Sequence, residues 1–394
     1  MGKVEDGAPV RGGHGQVVPD ELRPEKSGTL YAYKEVADKT GRVSPHMLPQ
    51  PFLPVDGKGG EDIAGPYEVV EGWPDQVEPG WRLSGPSGAW VESADRVVVG
   101  SHFGMVRDRL TPLVWGRNVF AMEGSPYRTY GALEGRHENF VVTFNRDGRL
   151  IDSWTSQDHL FRKINRIFVD PTDPERHVWI TDSKKQRIYK LTNDGRELVM
   201  SIGEVEANSV PENPWKAEDI AWLPNGDFYT AGLGRIDRFT RHGELVWSRL
   251  TRGTEPGQFL DLHGLVLDTE RRRIYVADRG NSRIQVFDED WNLLDVWPRI
   301  YAPYCMRMET GGDIWIADGF TSKFLRYSPE GRLITSWGTF GIAPGATWGV
   351  HWFDTDDEGN LYVCEVYGER MQKLRPRADV PADDPRLVGA LHRY

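Results

Sequence analysis

His263-Gly-Leu-Val-Leu-Asp268, Arg273-Ile-Tyr-Val-Ala-Asp278, Asn281-Ser-Arg-Ile-Gln-Val-Phe287 and Leu293-Leu-Asp-Val-Trp297 follow one another with only short polar turns between them. Each run is rich in β-branched and aromatic residues and bounded by Asp, Asn, Gly or Arg, so each reads as a strand. The same order returns in Ile164-Asn-Arg-Ile-Phe-Val-Asp170 with Val178-Trp-Ile-Thr-Asp182 and Gln186-Arg-Ile-Tyr-Lys-Leu191. It recurs in Glu218-Asp-Ile-Ala-Trp222 with Phe228-Tyr-Thr-Ala-Gly232, and in Tyr304-Cys-Met-Arg-Met308 with Ile314-Trp-Ile-Ala-Asp318. Two weaker copies are Ser87-Gly-Ala-Trp-Val-Glu92 with Val97-Val-Val-Gly-Ser101, and His351-Trp-Phe-Asp-Thr-Asp356 with Leu361-Tyr-Val-Cys-Glu365.

Aligned at one strand position, the six units give Ser87, Asn165, Asp219, His263, Tyr304 and His351, and the last three spacings are 44, 41 and 47 residues. That period belongs to a four-stranded propeller blade, so an all-β, six-bladed β-propeller is expected. The sixth unit lacks a fourth strand after Met371-Gln-Lys-Leu374. Tyr67-Glu-Val-Val-Glu-Gly-Trp-Pro74 is similar to Leu293-Leu-Asp-Val-Trp-Pro298 and is expected to supply it, closing the last blade and removing an open edge. Residues 1–60 then form an extended or partly disordered arm, 61–375 the propeller and 376–394 a C-terminal tail. The first spacing, 78 residues, contains an insertion over 103–137. It is expected to arch over one face, where Trp115, Phe120 and Tyr127 would wall a substrate pocket, or else to cover an exposed edge.

In 394 residues, 48 Lys and Arg against 59 Asp and Glu leave a net charge of −11, with no basic run. This argues against nucleic acid and against an anionic membrane surface as partners. Two cysteines make no disulfide framework, the first residues are acidic where a secretory signal would be apolar, and no long apolar run occurs. A cytoplasmic protein acting on a small molecule is expected, with homo-oligomerisation through the N-terminal arm left open.

In a propeller the first residues of the innermost strands form a ring at one channel mouth, and here all six are polar. The imidazoles of His263 and His351 have three readings: ligands of a divalent metal completed by Asp219 or Asn165, metal-free acid–base groups, or structural histidines. Tyr304 in the ring and Tyr367 after Glu365 are phenols suited to proton transfer, and His102 is a further ligand or acid–base group. A second ring, Ser101, Asp182, Gly232, Asp278, Asp318 and Glu365, reads as carboxylates capping loop amides.

At Asp278-Arg-Gly-Asn-Ser-Arg-Ile-Gln-Val-Phe287 the chain resembles the NHL-repeat propellers, and over about 80–375 its motif order resembles peptidyl-α-hydroxyglycine α-amidating lyase. The resemblance implies a catalytic zinc, no organic cofactor, and three histidine ligands on alternate blades, which fall here at Asn165, His263 and His351. It also implies an active-site arginine at Arg279. A second family arginine falls at His102, and the family's tyrosine falls within Gly232-Leu-Gly-Arg235. The activity implied is that of a metal-assisted lyase or hydrolase on a small hydroxylated or carbonyl-containing substrate at the channel mouth. A propeller that binds ligands or proteins without catalysis is the alternative.

Overall fold

A computed structural model of the chain describes residues 63–107, 135–203, 217–319 and 321–392. Six four-stranded antiparallel sheets stand around one axis, as the period predicts. Their innermost strands are Pro86–Ser93, Ile164–Val169, Asp219–Trp222, Leu262–Asp268, Pro303–Met308 and Val350–Thr355, in blades one to six. The expected closure is present: Tyr67–Val69 pairs antiparallel with Arg370–Pro376 as the outermost strand of blade six, Tyr67 opposite Pro376 and Val69 opposite Leu374.

Tryptophans pack the seams between blades. Trp154 closes blade one and lies on Gly195 of blade two, where an added Cβ would fall 2.1 Å from the indole. Trp297 of blade four meets Gly331 of blade five in the same way, at 2.3 Å. Both glycines have positive φ, 71° and 81°, so their turns favour glycine twice over, by backbone and by space. The N-terminal segment takes part in two such seams. Gly65 receives Trp337 of blade five, and Trp73 lies on Gly148 of blade one while its Nε1 donates to the Asn145 carbonyl at 3.2 Å.

Residues 376–392 are more than the expected tail. Val388 and Leu391 are buried, Val388 N–H donates to the Tyr67 hydroxyl at 2.8 Å, and Trp337 Nε1 donates to the Arg386 carbonyl at 3.0 Å. The segment thus ties blade five to the closing strand. A small extra sheet, Trp81–Leu83, Met105–Arg107 and Gly135–Arg136, carries both ends of the insertion. Trp115, Phe120 and Tyr127, and the arm over 1–60, lie outside the described residues. Among the described residues no helix is long and apolar enough to cross a membrane.

Removal of residues 1–75 should lower the melting temperature of the whole ring, because it deletes one strand and two seams. Removal of 1–40 should leave it within a degree or two. Equal melting temperatures for the two truncations would rule out this closure.

Candidate functional site at the channel mouth

Innermost strands are edge strands, so their inward N–H and C=O groups have no sheet partner and need others. Five of the six share one irregularity: the register steps over Ser87, Asn165, His263, Tyr304 and His351. A β-bulge re-aims the extra residue's side chain. In blade three Asp219 pairs with Ala231, as Arg166 pairs with Thr181 in blade two, so the ring position falls to Glu218. Asp219 stands one residue further along the channel than its expected place. The bulges of the other five blades supply the physical reason, since one inserted residue shifts each of those strands by one, whereas blade three pairs without a register step.

The bulged residues bond from blade to blade. Ser87 Oγ donates to the Ile164 carbonyl at 2.7 Å, and Asn165 Nδ2 to that of Glu218 at 3.0 Å. His263 Nδ1 lies 2.8 Å from the Tyr304 carbonyl, and His351 Nδ1 lies 2.7 Å from that of Ser87. A carbonyl only accepts, so the contact of His351 puts its proton on Nδ1 and leaves the lone pair on Nε2, whereas His263 Nδ1 also lies 3.1 Å from Arg166 Nη2, a donor, and so faces a donor and an acceptor at once. At the axis, wholly buried, is Arg166. Its Nη1 donates to the His351 carbonyl at 2.5 Å, and its Nη2 to the carbonyls of His263, at 2.9 Å, and Tyr304. Its guanidinium lies 4.5 Å from the centre of the Trp352 ring.

Around this plug the aromatic groups form a chain. Ring centroids are 5.3 Å apart for His102 and His351, 4.7 Å for His351 and His263, and 4.9 Å for His263 and Tyr304. Tyr304 and Tyr367 share a hydrogen bond of 2.8 Å between their hydroxyls. The Arg279 guanidinium lies 4.5 Å from the centre of the Tyr304 ring and is held by Asp261, its Nε donating to Oδ2 at 3.1 Å. His102, His263, His351, Tyr304, Tyr367 and Arg279 therefore come together as the sequence predicts. Arg166, Asp261 and Glu218 are additions.

Burial, then the charges of Arg279 and Arg166 and the neighbouring His351, hold His263 well below its ordinary 6.5. Burial, then Arg166 and His102, do the same to His351. Burial raises Tyr304 well above its usual value, with Tyr367 adding to it, and burial also raises Tyr367. Burial alone would lower Arg279, but Asp261 more than offsets it and keeps the guanidinium charged. The mouth at neutral pH thus presents two neutral imidazoles, two neutral phenols and two cations.

This donor set does not fit a zinc centre. Asn165 offers only a neutral amide oxygen, a weak zinc ligand, while Asp219 accepts from Leu265 N–H at 2.8 Å and lies 3.9 Å from Arg166 Nε. Three imidazoles remain, those of His102, His263 and His351, beside two guanidinium ions that oppose a further cation. Among the described residues no three His, Cys, Asp or Glu side chains are gathered to hold a metal. The second ring is structural as expected. Asp182 accepts from four loop amides, Asp318 from three, and Glu365 from Trp348 N–H, Arg370 and Gln372.

Fold and mouth together define a six-bladed propeller with a histidine, tyrosine and arginine cluster at one end of its channel. The NHL repeat family matches over residues 259–287. Human NHL repeat-containing protein 3 is 31% identical over 260 residues, covering 60% of this chain and 72% of that protein, and the chain belongs to its family. Drosophila melanogaster peptidyl-α-hydroxyglycine α-amidating lyase 1 is 30% identical over 189 residues, 44% of this chain but only 34% of that one. A solved structure of a Bacteroides thetaiotaomicron protein of unknown function has a TM-score of 0.52 at 13% identity, covering 81% of this chain and 73% of its own, and shows the fold alone.

Two outcomes are expected of the plug and the imidazoles. Arg166→Met should cost roughly 3–5 kcal/mol in denaturant unfolding, because it strands Asp219 and three carbonyls. The histidines bind protons more readily unfolded than folded, so their contribution to stability is complete above about pH 6.5 and is lost as pH falls from there through their lower folded values. Asp219, raised to about 6 by burial, works in the opposite sense below that pH. The His263→Gln/His351→Gln double variant, which keeps a donor but does not titrate, should lose less melting temperature between pH 7.5 and 6 than the parent. Parallel slopes would contradict neutral imidazoles.

Proposed function

We propose that the channel mouth is a lyase-type active site that works by acid–base chemistry on a small hydroxylated substrate. The observation that carries this is the His351 imidazole, whose Nδ1 proton is fixed by the Ser87 carbonyl, beside His263 and a hydrogen-bonded phenol pair with an arginine against it. A fixed tautomer gives Nε2 a lone pair of defined direction, as a general base needs. Phenols raised by burial are poor bases but keep a proton to give, and the Arg279 charge favours the phenolate left behind.

The name of the similar Drosophila protein indicates the substrate class, an N-acyl-α-hydroxyglycine. Nε2 of His351 takes the hydroxyl proton, and the C–O bond becomes a carbonyl. The C–N bond breaks with its electron pair going to nitrogen, and Tyr304 returns a proton there. The products are an amide and glyoxylate, and proton exchange between imidazolium and phenolate resets the site. Arg279 is suited to the substrate carboxylate. Ligand binding without turnover is the second reading. It is favoured by the blade-to-blade bonds, which employ every bulged side chain named above in holding the ring together.

Incubation with a panel of N-acyl-α-hydroxyglycines should release glyoxylate. Tyr304→Phe and His351→Gln should each lower kcat by roughly 10²–10⁴, the usual contribution of a positioned acid or base. Saturable binding without glyoxylate would replace catalysis by ligand recognition. Activity abolished by a chelator and restored by zinc would replace the acid–base assignment.

A further inference from the structure

Beyond the Arg166 plug the channel opens into a second cavity of about 170 Å³, lined from the innermost strands of all six blades. Its walls include Trp90, Phe168, Trp222 and Trp352, with Arg307 and Asp354 among them. Phe168 meets Trp222 and Trp352 edge-on, with centroids 5.7 Å apart in both pairs. The volume slightly exceeds that of an apolar cavity of about 150 Å³ known to accept benzene.

Asp170, Asp219 and Asp354 also line this wall, yet Arg307 is only loosely bonded. Arg307 is 6% exposed, yet its contacts with the Phe353 carbonyl, the His392 carbonyl and Asp354 Oδ1 are all 3.4 Å long. Its Nε has no hydrogen-bond partner among the described residues, and the same holds for Arg166 Nε. The neighbouring carboxylates are already engaged with backbone amides. Asp354 accepts from Val91 N–H at 3.1 Å and Thr355 N–H at 2.9 Å, and Asp219 accepts from Leu265 N–H. A buried guanidinium donor left without an acceptor is costly, and a carboxylate is the acceptor that matches its fork.

We propose that this cavity is a second ligand site, distinct from the mouth, for a small aromatic monocarboxylate. The carboxylate accepts from Arg307, and the ring lies among Trp90, Phe168, Trp222 and Trp352. The aromatic walls select a flat apolar body, and the missing acceptor selects an anion. The Arg166 plug separates this site from the mouth, so the inference does not rest on the chemistry proposed there.

Isothermal titration of the full chain with sodium benzoate at fixed ionic strength tests it, with benzamide as the uncharged isostere. Benzoate should bind once per chain, and benzamide at least about tenfold more weakly, as loss of one charge-assisted contact implies. Arg307→Lys, which keeps the charge but removes the fork, should weaken benzoate by at least about tenfold. Leu265→Phe, which fills the cavity and keeps every charged side chain, should abolish binding and provides the test if the lysine variant fails to fold. His351→Gln should leave benzoate binding unchanged. Absence of saturable binding, binding that survives Leu265→Phe, equal affinity for benzamide, or loss in His351→Gln would each overturn the assignment.

Discussion

A ring of inner edge strands is the constraint from which the rest of this molecule follows. Every blade turns one row of backbone groups toward the axis, where no further strand can pair with it, and an unpaired buried carbonyl or amide is costly. Two devices meet that demand. Bulged side chains reach from one blade to the backbone of the next, and Arg166 gathers the carbonyls of blades four, five and six. A guanidinium suits the task because its planar fork serves several acceptors at once and its charge strengthens each bond. Its burial is made tolerable by Asp219 at 3.9 Å and by the face of Trp352.

Holding the ring and doing chemistry are compatible at this mouth because an imidazole has two nitrogens. Nδ1 closes the belt, and Nε2 is left over. At His351 the bond that joins blades therefore sets tautomer and orientation, which elsewhere would fall to dedicated supporting groups. A serine or an asparagine at the same position satisfies the backbone just as well but has no second basic site, as Ser87 and Asn165 illustrate. The chemical character of the mouth is thus concentrated on blades four to six, where His263, Tyr304 and His351 follow one another.

The architecture was legible because the blade is a local unit. Four strands and three turns repeat within about 45 residues, and the Trp-Pro ending shared by Trp73-Pro74 and Trp297-Pro298 marked the N-terminal segment as an outermost strand. The indole at that place is also what makes the seam, which is why the resemblance was physical. The mouth was legible only in part. In Glu218-Asp219 two adjacent acids compete for one ring position, and the register that decides between them leaves no trace in composition. Arg166 sits within Ile164-Asn-Arg-Ile-Phe-Val, where a charged residue between apolar ones suggests a solvent-facing position. Only the closed ring shows that the direction away from one sheet face is the axis. The segment after Pro376 looked like tail because prolines interrupt any strand pattern, while Val388 and Leu391 are too few to announce a buried strap.

Electrostatics at the mouth follow from the plug and bear on what can react there. Arg166 and Arg279 both hold His263 neutral, and such a site disfavours any step that leaves an isolated imidazolium. A base in this position works only when the proton it takes is handed on, or when negative charge develops nearby at the same moment. Tyr304 answers both conditions, since its ring lies beside His263, its hydroxyl bonds Tyr367, and Arg279 stands against it to stabilise a phenolate. An anionic substrate answers them as well, because its charge offsets the arginines when it enters. On the proposed acid–base reading, a bound carboxylate would offset the field of the two arginines, so the imidazoles would be stronger bases in the complex. Base strength would in this way be tied to occupancy by an anion, and neutral molecules of the same shape would meet a weaker base.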